Sequence, residues 1–224
     1  MDKPFSNGHA LIIGAGGDLS CTIADAEGLA QILTDPKRSG YPQSQVRLLI
    51  DRKATRRAIL DGLDRLARDT NRDSTVIVYF SGHGYNAQTD MGELSFLFPY
   101  GYDLKNVSRT AISVNEFSEK LRAIRSEKLL VLLDYCHAGT LVDTMIAERN
   151  VEIAAKETIR VLGQEGRVII ASSPSGGLAF AGRPYSAFTL AVMEALSGIG
   201  VPNRDGYVRV ADIAMYVREV VPRR

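Results

Sequence analysis

Two apolar runs that break off abruptly constrain this chain most. Val76-Ile-Val-Tyr-Phe80 runs straight into Ser81-Gly-His-Gly84, and Leu129-Leu-Val-Leu-Leu133 runs into Asp134-Tyr-Cys-His-Ala-Gly139. Such runs, too short for a helix and without polar alternation, suit parallel strands buried on both faces. Ala10–Ile13, Val46–Ile50 and Val168–Ala171 have the same character. Helical periodicities lie between them: Leu29, Ile32 and Leu33 after Asp25; Ile59, Leu60, Leu63 and Leu66 after Thr55; Phe117, Leu121 and Ile124 after Ser113, which stands at capping-box spacing from Glu116. Further helices are expected at Phe188–Leu196 and Ala211–Val220. Strand–helix alternation implies an α/β sandwich, a mostly parallel central sheet with helices on both faces. Function in such sheets collects at the carboxyl ends of strands, and His83 and Cys136 both fall just past such ends.

A base and a thiol brought together at one sheet edge have a specific chemistry. An imidazole takes the thiol proton, and the thiolate is the nucleophile. Cys136 is thus the candidate nucleophile, with a small buried hydrophobe as the alternative, and His83 is the candidate base. The glycines around His83 permit close backbone approach to a substrate, and backbone N–H groups there are candidate oxyanion donors. His137 adjoins the nucleophile but is not the base, and His9 has no supporting context. A structural zinc site needs four ligands at close paired spacing. Cys21 and Cys136 are 115 residues apart (136 − 21) and the three histidines are scattered, so no metal or cofactor is expected.

The bulk numbers fit one domain spanning residues 1–224, of which 45% are hydrophobic. A net charge of +1, from 27 basic and 26 acidic residues, offers no basic excess for nucleic acid. No apolar stretch approaches the roughly 20 residues of a membrane span, and Met1-Asp-Lys-Pro4 lacks an apolar signal core. With only two cysteines, a reducing cytoplasm is the expected setting.

The paired motifs, Ser-Gly-His-Gly after one strand and Asp-x-Cys-His-Ala-Gly after another, resemble those of caspase-like peptidases, and within them metacaspases and their bacterial relatives. The interval of 53 residues (136 − 83) agrees with the roughly 50 by which the caspase histidine precedes its cysteine. The resemblance covers nearly the whole chain and implies the caspase–hemoglobinase-like three-layer fold. It also implies an oxyanion hole from the N–H groups of Gly84 and Cys136, and a primary specificity pocket lined by Asp134, Asp25 (in Ile23-Ala-Asp-Ala26) and Ser81. Cleavage after Arg or Lys follows from that pocket, whereas cleavage after Asp needs a basic one. Asp134, two residues before Cys136, points to the same side on an extended segment. Asp25 has a second reading as a helix N-cap.

The sequence departs from the resemblance at several places. Thr22 stands where metacaspases commonly have a cysteine, Cys21 being one residue off, and Tyr135 stands where serine is common. Val114 and Asn115 occupy positions where calcium-activated relatives carry aspartates; Asp143 could still match one ligand, but a calcium switch is not expected. Residues 140–167 form a long linker, helix-like around Val151–Leu162, with Arg149, Lys156, Arg160 and Arg167; in the family such a linker is sometimes self-cleaved, and a solvated helix is the other reading. Gly14-Ala-Gly-Gly17 has dinucleotide-loop character, but the third glycine falls at Leu19, so a loop at the active-site edge is expected. Ala171–Gly177 is expected to form a substrate-binding wall. The expected partners are protein or peptide substrates with a basic cleavage site, with a sensor or regulatory protein as a candidate second partner. The competing functions are a non-proteolytic scaffold in a signalling assembly and another cysteine amidohydrolase on the same fold.

Overall fold

The computed structural model describes residues 5–89, 92–137, 167–172, 183–202 and 205–223. Side chains are described for these except at Ser20, 86–89, 92–93, Cys136, His137 and Arg167. The linker up to Arg167, with Asp143 and the helix expected at Val151–Leu162, lies outside the described residues, as does the expected wall beyond Ser172.

The elements are β1 (Gly8–Gly14), α1 (Ser20–Thr34), β2 (Val46–Ile50), α2 (Arg56–Asp69), β3 (Thr75–Thr89), β4 (Gly92–Phe98), α3 (Val107–Thr110), β5 (Ile112–Ser113), α4 (Val114–Ala123), β6 (Lys128–His137), β7 (Arg167–Ser172), α5 (Ala187–Leu196) and α6 (Val210–Val220). One seven-stranded sheet results. Strands β2, β1, β3, β6 and β7 lie side by side and parallel. The sequence pattern did not reveal its antiparallel flank, in which β4 pairs with the far half of β3 and β5 with β4.

Period-two alternation along the parallel strands splits their apolar residues between two cores. Leu11, Ile13, Val76, Val78, Phe80, Leu129, Val131 and Leu133 pack with Ile59 and Leu63 of α2 and with Phe117 and Leu121 of α4. Ala10, Ile12, Ile77, Tyr79, Leu130 and Leu132 pack with Leu29 and Leu33 of α1, Phe188 and Val192 of α5, and Ile213 and Val217 of α6. Burial on both faces is why these strands read as unbroken apolar runs. Truncating one such leucine to alanine costs about 2–5 kcal/mol. Among the described residues, no helix is long and apolar enough to cross a membrane.

Side-chain oxygens cap the starts of three helices, α2, α4 and α5. Thr55 accepts from the Ala58 N–H at 3.2 Å and Ser113 from the Glu116 N–H at 3.1 Å. Only half of the expected capping box forms, because the Glu116 carboxylate instead receives the Arg56 guanidinium at 2.7 Å on each oxygen, tying α4 to α2. Helix α1 begins without a side-chain cap, after Leu19. Asp25 therefore lies inside the helix, and its N-cap reading is wrong: the Thr22 hydroxyl donates to the Gly16 and Leu19 carbonyls and lets the helix start early.

Candidate active site

Both key strands run further than their apolar runs. Pairing of β1 with β3 ends at Gly14 opposite Ser81, and pairing of β4 begins at Phe98 opposite His83. The new partner takes over the backbone groups that β1 leaves, so β3 continues through the Ser-Gly-His-Gly segment. On its other side β3 pairs with β6 in parallel register: Ser81 opposite Asp134, Gly82 opposite Tyr135, His83 opposite Cys136 and Gly84 opposite His137. His83 and Cys136 are therefore lateral neighbours, about 4.8 Å apart from strand to strand. They lie inside the sheet rather than in loops past it.

His83 is buried, and its Nε2 lies 2.8 Å from Oδ2 of Asp18. Its Nδ1 has no hydrogen-bond partner among the described residues. Gly84 is required by packing, since a Cβ there would come within 2.9 Å of the Tyr135 ring. That ring, 6% exposed, belongs to the core under α2 and α4, so Tyr135 and Gly84 fit as a pair.

On the face opposite the Tyr135 ring lies a cluster of buried polar side chains. Asp134 is 4% exposed and Asp25 fully buried. Asp134 accepts the Ser172 hydroxyl at 2.9 Å on Oδ1, and the hydroxyls of Ser186 and Thr189 on Oδ2, the latter at 2.8 Å. Thr189 in turn is 2.6 Å from the Tyr79 hydroxyl; since Thr189 donates to the carboxylate, Tyr79 donates to Thr189. Ser186 joins the two acids, with its N–H donating to Oδ1 of Asp25 at 2.8 Å and its hydroxyl to Asp134. The same hydroxyl accepts from the Thr189 N–H and caps α5, so the N-terminus of that helix faces the carboxylates, where its dipole favours negative charge. Gly28 of α1 leaves room for the Tyr185 ring, which a Cβ would approach within 2.7 Å, and this sets Ser186 beside Asp25. Oδ2 of Asp25 has no partner among the described residues, and no described ion pair includes either acid. The third pocket candidate, Ser81, is buried and pairs with Asp134 in register.

The caspase-domain family profile matches residues 7–223. The chain belongs to the caspase-domain peptidase family. Its α/β sandwich is that family's fold, as the paired motifs led one to expect. A similar solved structure is protein GSU0716 from Geobacter sulfurreducens, 19% identical, with 94% of this chain and 88% of that one covered at a TM-score of 0.64. No curated protein matches this sequence. Membership of a caspase family points to cysteine peptidase chemistry.

Val114, one of the two positions where the resemblance would place calcium-binding aspartates, is apolar and 8% exposed. Among the described residues no group of three or more His, Cys, Asp or Glu side chains is placed to hold a metal.

Sequence reasoning missed Asp18, Ser186, Thr189 and Tyr79; Ser172 lies at the start of the expected wall. The only signal for Ser186 was its place just ahead of an expected helix, and for Asp18 its place at the end of the glycine loop. Cys21 is a buried thiol whose pKa desolvation pushes up to about 11, with Asp25 and Asp134 adding to the effect, which leaves it protonated and a poor nucleophile at neutral pH.

Burial sets the titration of the pair. Desolvation pushes Asp25 up to about 7, Asp134 adding to it while the Ser186 N–H opposes it. Desolvation also raises Asp134, against its hydroxyl donors. A carboxyl that holds its proton more tightly folded than unfolded makes the folded chain richer in protons between about pH 4 and 7, so stability falls as pH rises through that window. At about 1.4 kcal/mol per pH unit, the Asp25 contribution is on the order of 2–4 kcal/mol. Denaturant unfolding at pH 5 and pH 8 is expected to show this loss in the wild type and a smaller one in Asp25→Asn. Equal pH dependence in the two would contradict it.

Proposed function

We propose that this caspase-domain protein is a cysteine endopeptidase that cleaves after Arg or Lys through a Cys136–His83 pair. The observation that carries the specificity is the buried pair Asp25 and Asp134, linked through Ser186, with an Asp25 oxygen unpartnered and no described cation to balance them. A buried carboxylate is costly unless paired, and an entering guanidinium or ammonium supplies the missing charge with charge-assisted hydrogen bonds. The lateral register of His83 and Cys136 supports the chemistry.

In this reading the Cys136 thiol gives its proton to His83, and Sγ attacks the carbonyl carbon of the scissile bond. The oxyanion is held by the N–H groups of Gly84 and Cys136. As the C–N bond breaks, the imidazolium proton passes to the amine nitrogen, which leaves as the new N-terminus. Water then loses a proton to His83, attacks the thioester, and the thiol departs with a proton restored. In this reading protein or peptide chains with an exposed basic residue are the substrates.

A peptidyl-arginine acyloxymethyl ketone is expected to add to Cys136 irreversibly, as read by mass spectrometry, at rates equal within about twofold in excess chelator and in millimolar calcium. The aspartyl analogue is expected to leave the protein unlabelled. Preferential labelling by the aspartyl reagent would contradict the basic pocket, and labelling only with calcium would contradict the mechanism.

A further inference from the structure

We propose that Asp18 positions the catalytic base, its carboxylate accepting the Nε2–H of His83 and so fixing the imidazole in the tautomer whose Nδ1 takes the thiol proton. This rests on reading Cys136 and His83 as the peptidase pair. A carboxylate at 2.8 Å from Nε2 is an acceptor, so the ring nitrogen facing it carries the hydrogen. In a neutral imidazole the other nitrogen is then an acceptor. That nitrogen, Nδ1, is buried and has no partner among the described residues, and His83 faces Cys136 in register.

The carboxylate is placed by the loop that carries it. The Ala15 N–H donates to the Ser81 carbonyl at 2.8 Å, two residues before His83. The Leu19 N–H donates to the Gly16 carbonyl at 2.8 Å, and the Thr22 hydroxyl bonds both Gly16 and Leu19 carbonyls. Asp18 thus hangs between two fixed points of the β1–α1 connection, directly over the strand that bears the histidine. Although its side chain is 58% exposed, among the described ion pairs it occurs only with His83, whose own side chain is 10% exposed. When the Sγ proton moves to Nδ1, the Nε2–H stays on Asp18 and the imidazolium faces a negative charge. The proton leaves later with the amine, and Asp18 itself gains none.

The test has a spectroscopic arm and a kinetic one. In Cys136→Ala protein with ¹⁵N-labelled histidine, proton–nitrogen couplings read the tautomer of His83, and His83→Gln assigns its signals among the three histidines. The Nε2–H form is expected, and adding Asp18→Ala is expected to produce a mixture with the Nδ1–H form. In the active protein, Asp18→Ala is expected to lower kcat on the order of tenfold to a hundredfold with KM within about twofold, the loss of an interaction made only as charge develops on the ring, and Asp18→Glu to recover part of it. An Nδ1–H tautomer in the presence of Asp18, a tautomer indifferent to Asp18→Ala, or a wild-type kcat for Asp18→Ala would overturn the proposal. Failure of the wild type to cleave any peptide would count against the peptidase reading alone, because the spectroscopic arm uses a variant without the thiol.

Discussion

Cys136→Ala and His83→Ala are each expected to lose at least about a thousandfold of peptide hydrolysis, and the double variant little more than either single one, because the proposed nucleophile and base act as a unit. The register explains why neither change should unfold the chain. Both residues sit in the extensions of β3 and β6 beyond the strands' apolar runs, and the cores under α2 and α4 and under α1, α5 and α6 lie further back along the sheet. Losing the His83 ring releases Asp18, whose exposed carboxylate is taken up by water. Its stability cost is therefore about 1 kcal/mol. Hydrolysis within a few-fold of wild type in Cys136→Ala, with an unchanged thermal melt, would contradict the assignment of the nucleophile.

Asp134→Asn is expected to lose hydrolysis of Arg and Lys substrates by a hundredfold or more. Breaking one side of a desolvated charge pair costs about 3–5 kcal/mol, which is more than two decades in kcat/KM. The asparagine is the informative change. Asp134→Ala would leave the hydroxyls of Ser172, Ser186 and Thr189 without their acceptor, at about 1–3 kcal/mol for each donor left unsatisfied, and would disturb the start of α5 through Ser186. Asparagine keeps the volume and a carbonyl acceptor, and the hydroxyls rotate to suit. Reaction of Cys136 with iodoacetamide, which needs no pocket, is expected to proceed at nearly the wild-type rate in Asp134→Asn. Arg turnover unchanged by this substitution would remove Asp134 from the pocket.

The parts of this fold that could be read from the sequence are those where burial leaves a one-dimensional trace. The runs at Ala10–Ile13, Val76–Phe80 and Leu129–Leu133 are apolar at every position because both sheet faces are covered, and the observed strands contain them. Their extensions were not readable, because β3 continues past Phe80 only by exchanging β1 for β4, a pairing choice that leaves no local pattern. The cap at Thr55 was visible as chemistry. The start of α1 was not, since Leu19 caps nothing and a backbone-directed hydroxyl from Thr22 does the anchoring. The site divides in the same way. His83 and Cys136 stood out because each breaks an apolar run with polar and glycine residues, and Asp134 because it sits two residues before the cysteine. The groups that give the acids their setting come from far along the chain: Ser186 lies 161 residues from Asp25 and 52 from Asp134. Nothing in the sequence around Tyr185 or Thr189 marks them as neighbours of a carboxylate pair.

The central claim, a cysteine peptidase with a basic-side-chain pocket, is tested most directly by incubating the purified wild-type chain with four fluorogenic peptides that differ only in carrying Arg, Lys, Asp or Asn at the cleaved position. Release of fluorophore is expected from the Arg and Lys peptides, with kcat/KM at least a hundredfold above the Asp and Asn peptides, and complete loss of that release in Cys136→Ala. Cleavage of the Asp peptide at a rate comparable to the Arg peptide, or release that survives Cys136→Ala, would contradict it.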